Sequence, residues 1–139
     1  MKSCFVNFAC FIITGVGVSS DGKRIYVTNS TDGQLFTLTR DVEVAATLAD
    51  LAFKCTNSSC NLHVVATGQV FVFGNYTLSQ VDTDGKKILN TMILDIDMIH
   101  IGSVYFSKDT SKMMIGLINN NHVLEFNTNM DMAFRNFHF

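Results

Sequence analysis

Short apolar runs alternate with polar punctuation along this chain, and they do so three times in the same order. The first unit reads Val16-Gly17-Val18, Asp21-Gly22, Ile25-Tyr26-Val27-Thr28, then Gln34-Leu35-Phe36-Thr37-Leu38. The second reads Leu62-His63-Val64, Thr67-Gly68, Val70-Phe71-Val72-Phe73, then Leu78-Ser79-Gln80-Val81-Asp82 with Asp84-Gly85 behind it. The third reads Val104-Tyr105-Phe106, Lys108-Asp109, Met113-Met114-Ile115, then His122-Val123-Leu124-Glu125-Phe126. Runs of this length, rich in Val, Ile, Phe, Tyr and Thr and bounded by Asp-Gly, Thr-Gly or Asn, predict strands joined as hairpins. Each unit therefore holds an inner strand, a hairpin turn, a second strand, a polar turn (29–33, 75–77, 119–121) and a third strand. A fourth is predicted in the first two units, at about 42–48 and 87–94. Helix propensity rises only over 45–54, yet Val42, Val44 and Thr47 alternate as in a strand.

Val16, Leu62 and Val104 open units that begin 46 and 42 residues apart. Four antiparallel strands recurring at about 40–45 residues predict propeller blades, twisted sheets that bury their faces only by stacking on neighbours. The expected fold is all-β, a partial β-propeller of about three four-stranded antiparallel blades (about 14–58, 59–100 and 101–128). Residues 1–13 read as a strand left over from a preceding blade, and 129–139 as a tail or outer strand. Closed propellers carry roughly four to eight blades. Three would leave apolar faces bare, with Phe5, Phe8 and Phe11 at one end and Phe126, Phe134, Phe137 and Phe139 at the other. The expectation is a piece of a longer protein, or self-association through the open blade faces.

The units resemble a known repeat. Val27-Thr28-Asn29-Ser30-Thr31-Asp32-Gly33-Gln34-Leu35-Phe36 is similar to the NHL pattern of an apolar pair, a polar turn and a third strand, and Asn120-Asn121-His122-Val123-Leu124-Glu125-Phe126 matches its Asn-His-Arg-Val portion with His122 in place of Arg. The second unit, from Leu62 to Lys87, resembles the carboxy-terminal propeller of invertebrate tripartite-motif (TRIM) proteins. In that family a RING domain supplies ubiquitin-ligase activity, B-boxes and a coiled coil assemble the protein, and the propeller selects substrates or RNA. This chain matches only the selecting part, without RING, B-box or coiled coil. The resemblance implies a protein-interaction module that is not an enzyme.

Composition narrows the field. With 139 residues, 47% hydrophobic and 16% charged, the chain can bury enough surface to offset the entropy of ordering, which excludes disorder. A net charge of −2 provides no basic stripe, so Lys23, Arg24, Arg40, Lys86, Lys87, Lys108 and Lys112 rank RNA below a protein partner. The apolar run 4–13 is too short to span a bilayer, which needs about 20 residues, so no membrane role is expected. As a secretory signal it would be cleaved into the first unit. Cys4, Cys10, Cys55 and Cys60 are scattered and read as free thiols, which with the signal argument points to the cytoplasm.

Candidate chemistry is sparse. Asp95, Asp97 and His100 form the nearest thing to a catalytic cluster, without an oxyanion donor or orienting group beside them, and they read as a solvated connector. Asn29, Asp32, Asn75 and 119–121 sit at equivalent turns and could converge as oxygen ligands in a calcium-dependent, lactonase-like hydrolase. Turns require these same residue types, because Asn and Asp tolerate left-handed backbone and bond their own main chain. Neither a cofactor nor a metal ion is expected. The candidate binding residues are those of the turn surface: Lys23, Arg24, Asn29, Asp32, Asn75, Lys86, Lys87, Asn120 and His122. The sequons at Asn29, Asn57 and Asn75 add little in a chain this rich in Asn.

Overall fold

The computed structural model describes residues 12–49, 60–74, 76–94, 100–107, 109, 111–118 and 122–127. Their strands are β1 (Ile13–Val18), β2 (Arg24–Asn29), β3 (Gln34–Thr39), β4 (Val44–Ala49), β5 (Asn61–Val64), β6 (Val70–Gly74), β7 (Thr77–Val81), β8 (Ile88–Ile93), β9 (His100–Ser107), β10 (Lys112–Ile118) and β11 (Val123–Asn127). They make three antiparallel meanders in chain order: β1-β2-β3-β4, β5-β6-β7-β8 and β9-β10-β11. Of the stretch 45–54 with raised helix propensity, the described residues belong to β4, which pairs with β3, Leu35 opposite Leu48 and Leu38 opposite Val44, and 50–54 lie outside the described residues.

Burial explains why the strands read differently. The middle strands β2, β3, β6 and β7 are covered on both faces, so their sequences are nearly continuous in buried positions. The outer strand β4 keeps alternate residues in water, the period of a half-buried strand.

Sheets stack through their apolar faces. Tyr26 and Leu35 from the first sheet meet Leu62, Val70, Val72 and Val81 of the second, with Cys60 among them. On its other face the second sheet packs Phe71, Phe73 and Leu78 against Val104, Phe106, Met113 and Ile115 of the third. Phe71 and Phe106 are tilted rings with centroids 6.3 Å apart. Val27, Phe36 and Leu38 form a smaller cluster on the far face of the first sheet. The inner strands approach closely because β1 carries glycine where it faces β5. A Cβ on Gly17 would lie 2.5 Å from Leu62 Cδ1 and 2.8 Å from Val64 Cγ2.

Two expectations are corrected here. Phe126 is buried in the core between the second and third sheets; the outward face of the third sheet carries Tyr105, Met114 and Val123. Its register decides this, since Phe126 lies opposite inward-facing Met113 while Glu125 lies opposite Met114. Cys60 is disulfide-bonded, not a free thiol. Phe5, Phe8, Phe11, Phe134, Phe137 and Phe139, like Cys4, Cys10 and Cys55, lie outside the described residues.

Candidate interaction surface

In a meander, successive turns alternate between the two ends of the sheet. The β1–β2 and β3–β4 turns of the first sheet therefore share one rim, and the β2–β3 turn lies on the other. The same holds for the second sheet, and side-chain contacts show that the Asp-Gly turns of the two sheets meet. Arg24 Nη2 donates to Asp84 Oδ1 at 2.8 Å, and Tyr26 OH donates to the Thr83 carbonyl at 2.7 Å. Beneath them Gly85 rests on Thr37.

Both turns owe their shape to an aspartate and a left-handed glycine. In the first, Ser19 Oγ and Lys23 N donate to Asp21 Oδ1 at 2.6 and 2.9 Å, and Gly22 takes φ +72°. The Ser19 hydroxyl and then the Lys23 amide hold the Asp21 carboxyl below its ordinary range. In the second, Lys86 N and Lys87 N donate to Asp82 Oδ1 at 2.9 and 3.2 Å, and Gly85 takes φ +69°. Local bonds of this kind are what Asx-type turns provide.

The consequence is a surface that crosses two blades. Lys23, Lys86 and Lys87 are exposed and Arg24 is partly so, interleaved with Asp21, Asp82 and Asp84. The three carboxylates offset all but one of the four cations. Such a surface favours a partner bearing both charges over a uniformly anionic polymer, whose binding grows with the number of uncompensated cations.

The remaining candidates among the described residues are not part of it. Asn29 and Asp32 belong to the β2–β3 turn on the opposite rim, and His122 precedes β11 at that same end. Asn29 is fully buried: its Oδ1 accepts from Thr31 N and its Nδ2 donates to Gln34 Oε1, each at 3.0 Å. It is thus a turn-stabilising residue, not a surface contact, and neither its sequon nor its amide oxygen is offered to solvent. Asp32 and His122 are exposed. Asn75 and Asn120 lie outside the described residues, as do Asp95 and Asp97. His100 opens β9 and is exposed. Among the described residues, no group of three or more His, Cys, Asp or Glu could hold a metal ion, and no helix is long and apolar enough to cross a membrane.

One feature escaped the sequence. His63 on β5 and Tyr105 on β9 meet with ring centroids 5.8 Å apart, joining the inner strands of the second and third sheets. Burial pushes the His63 imidazole below its ordinary pKa. Burial likewise pushes the Tyr26 phenol up.

Solved structures resemble this arrangement. The β-propeller domain of Cps50 (Swd1) from Myceliophteria thermophila matches with a TM-score of 0.66 and 12% identity over 84% of this chain and 40% of its own. The fold is a β-propeller. Hydrazine synthase from Kuenenia stuttgartiensis matches with a TM-score of 0.67 and 14% identity, over 84% of this chain and 32% of its own. A Bacteroides caccae protein of unknown function matches with a TM-score of 0.59 and 9% identity, over 81% and 44%. The chain spans less than half the length of each. At these identities the likeness carries the fold alone. No protein-family model matches the chain, and no curated protein matches it in sequence. Within the propeller, β1, β5 and β9 are the inner strands, and the Asp-Gly turns form one rim of the first two blades.

Proposed function

We propose that this chain is a non-enzymatic recognition module, a portion of an NHL-type propeller whose Asp-Gly rim binds a protein partner. The reading extends the sequence resemblance to the substrate-selecting part of tripartite-motif proteins. The observation that carries it is the composite rim. Lys23 and Arg24 of the first blade and Lys86 and Lys87 of the second are brought to one surface by Arg24–Asp84 and Tyr26–Thr83, with balancing carboxylates between them. Loops held on a rigid scaffold are where binding residues concentrate.

The calcium-dependent hydrolase reading loses its best ligand, because the Asn29 oxygen already accepts the Thr31 amide. The RNA reading meets a rim in which carboxylates offset the cations. The test is a binding comparison in cells, by crosslinking and mass spectrometry of the full chain. Lys23→Glu with Lys86→Glu and Lys87→Glu should remove the crosslinked partners that the wild type and an opposite-rim variant, His122→Ala, both retain. Equal retention by all three would defeat the assignment. Tight, salt-sensitive RNA binding would transfer it to nucleic acid, and ester or lactone turnover with calcium-dependent stabilisation would transfer it to the hydrolase.

A further inference from the structure

The three sheets repeat one register, and two of their faces carry apolar residues in water. On the face that each blade turns toward the next, Gly17, Tyr26 and Thr37 stand side by side across β1, β2 and β3. His63, Phe71 and Gln80 take the same places in the second sheet. Tyr105, Met114 and Glu125 take them in the third. In the first two sheets the following blade packs on this row, and Tyr26, Thr37, Phe71 and Gln80 are buried. In the third, Tyr105 and Met114 are 59% and 42% exposed, and Val123 on the adjacent row is 59% exposed. The opposite face is open on the first blade. Val16 and Val18 of β1 hold the register positions that Leu62 and Val64 hold on β5. Leu62 and Val64 close on Gly17 of the preceding blade, whereas Val16 and Val18 are 64% and 54% exposed. The chain thus carries both halves of its own blade-on-blade contact, one on the first sheet and one on the third.

We propose that a second copy of this chain supplies the missing half of each contact: Val16 and Val18 of one copy dock on Tyr105, Met114 and Val123 of the other, and the reciprocal contact closes the pair into a ring. Continuity with the seams inside the chain selects this occupant, since the face that the third blade calls for is the one that the first blade presents. An aromatic side chain at the inner position is no obstacle, because His63 stands there in the second blade and the third blade docks on it, with Tyr105 against the imidazole. Contacts of this front-to-back kind are heterologous, ending in a closed ring when the rotation completes and in a filament when it does not. Two copies, each with three described sheets, fall within the roughly four to eight blades of closed propellers. Exposed apolar residues gathered on one face mark an interaction site, and their burial at both seams is the driving force. Both Asp-Gly rims then lie on the same side of the ring.

The experiment uses the full chain, its mass read by sedimentation equilibrium and light scattering across the micromolar range. Wild type should reach twice the mass of the chain and stop there. Val16→Glu and Met114→Glu each place a charge in both seams of the pair, and each should weaken association by about tenfold or more, since an unpaired charge is costly in an apolar contact. Both residues face water in the single chain, so the variants should keep the urea unfolding of dilute wild type. An equal mixture of the two should associate again in part, because one of its two seams is then made of unmodified faces. Lys23→Glu with Lys86→Glu and Lys87→Glu should leave the mass unchanged, which keeps this result separate from recognition at the rim. A wild type that stays at the mass of one chain would overturn the proposal. So would a pair sensitive to Met114→Glu but not to Val16→Glu, the mark of a back-to-back contact, or a mass that keeps rising with concentration, the mark of an open filament. Val123→Glu repeats the test on the third blade if Met114→Glu does not fold, and the wild-type mass stands whatever the variants do.

Discussion

Gly22 in the β1–β2 turn and Gly85 in the β7–β8 turn each follow an aspartate with nearly the same backbone, φ +72° and +69°, and differ in what surrounds them. A Cβ on Gly22 meets nothing within 4 Å, whereas one on Gly85 would overlap Thr37 Oγ1 and come within 3.0 Å of Thr37 Cβ. Replacing either by alanine imposes the left-handed cost of about 1 kcal/mol on a residue that has a Cβ. Gly85→Ala adds the cost of overpacking a fitted interface, about 1–3 kcal/mol. Thr37 cannot retreat easily, being 1% exposed and fixed opposite Tyr26 in the β2–β3 ladder. Gly22→Ala should therefore lose about 1 kcal/mol in urea unfolding and Gly85→Ala about 2–4 kcal/mol, at unchanged slope. Thr37→Ala tests the cause. Thr37 Oγ1 is buried and makes no hydrogen bond among the described residues, so deleting it forfeits no bond while removing the overlap with the hydroxyl and leaving the 3.0 Å approach to the Cβ. In that background the cost of Gly85→Ala should fall toward that of Gly22→Ala, a coupling of about 1–2 kcal/mol. Equal losses at the two glycines, or no relief from Thr37→Ala, would show that the second blade's turn does not bear on the first blade as described.

Tyr26→Phe should cost about 1 kcal/mol by leaving the Thr83 carbonyl without its phenolic donor, measured by the same unfolding assay; a neutral result would mean water replaces the hydroxyl at no cost. His63 has a depressed folded-state pKa, so its contribution is complete above the ordinary histidine range and lost as pH falls through it. An imidazole titration by NMR should give a midpoint below that of a free histidine, and His63→Gln should flatten the stability profile between about pH 7 and 5. A midpoint at or above the ordinary value would contradict the burial. Asp21 also has a depressed folded-state pKa, so the stability it lends is present above the ordinary carboxylate range and lost as pH falls through that range and below. Asp21→Asn should therefore weaken the acid dependence of unfolding below about pH 4, and an unchanged acid limb would remove the role given to the Ser19 and Lys23 bonds.

Much of the architecture is legible in the sequence because burial leaves two kinds of signature in it. Val70-Phe71-Val72-Phe73 is apolar throughout since β6 has a blade on either side, and β9 alternates from Ser103 to Ser107 because one face is open. The direction of Phe126 follows from Leu124 and Phe126 sharing a face across from Ile115 and Met113, whereas its place near the end of the repeat carries no such information. The site was less legible. Asn29 and Asp32 both look like turn residues, and nothing local reveals that Gln34 satisfies the Asn29 amide while Asp32 faces water. Nor does any spacing encode that Arg24 reaches Asp84, sixty positions away, since that contact exists only after the blades dock. The same limit applies to Cys60, because four scattered cysteines do not disclose which of them is bonded.

What positions the rim also separates its binding from its stability. Arg24–Asp84 is an exposed pair, with side chains 35% and 58% accessible, and pairs of that kind contribute about 0–1 kcal/mol. The apolar residues beneath contribute more, since burying a Val or Leu side chain stabilises by roughly 1.5–3 kcal/mol, and Leu35, Val70, Val72 and Val81 are all within 1% of full burial. The blades are thus held by their core, and the charges above it are carried to their places by that packing. A rim of this construction can exchange its charged residues with little effect on the fold, so charge reversal at Lys23, Lys86 and Lys87 reads recognition directly. Arg24, with its partner on the neighbouring blade, is the one cation of the four whose loss touches both.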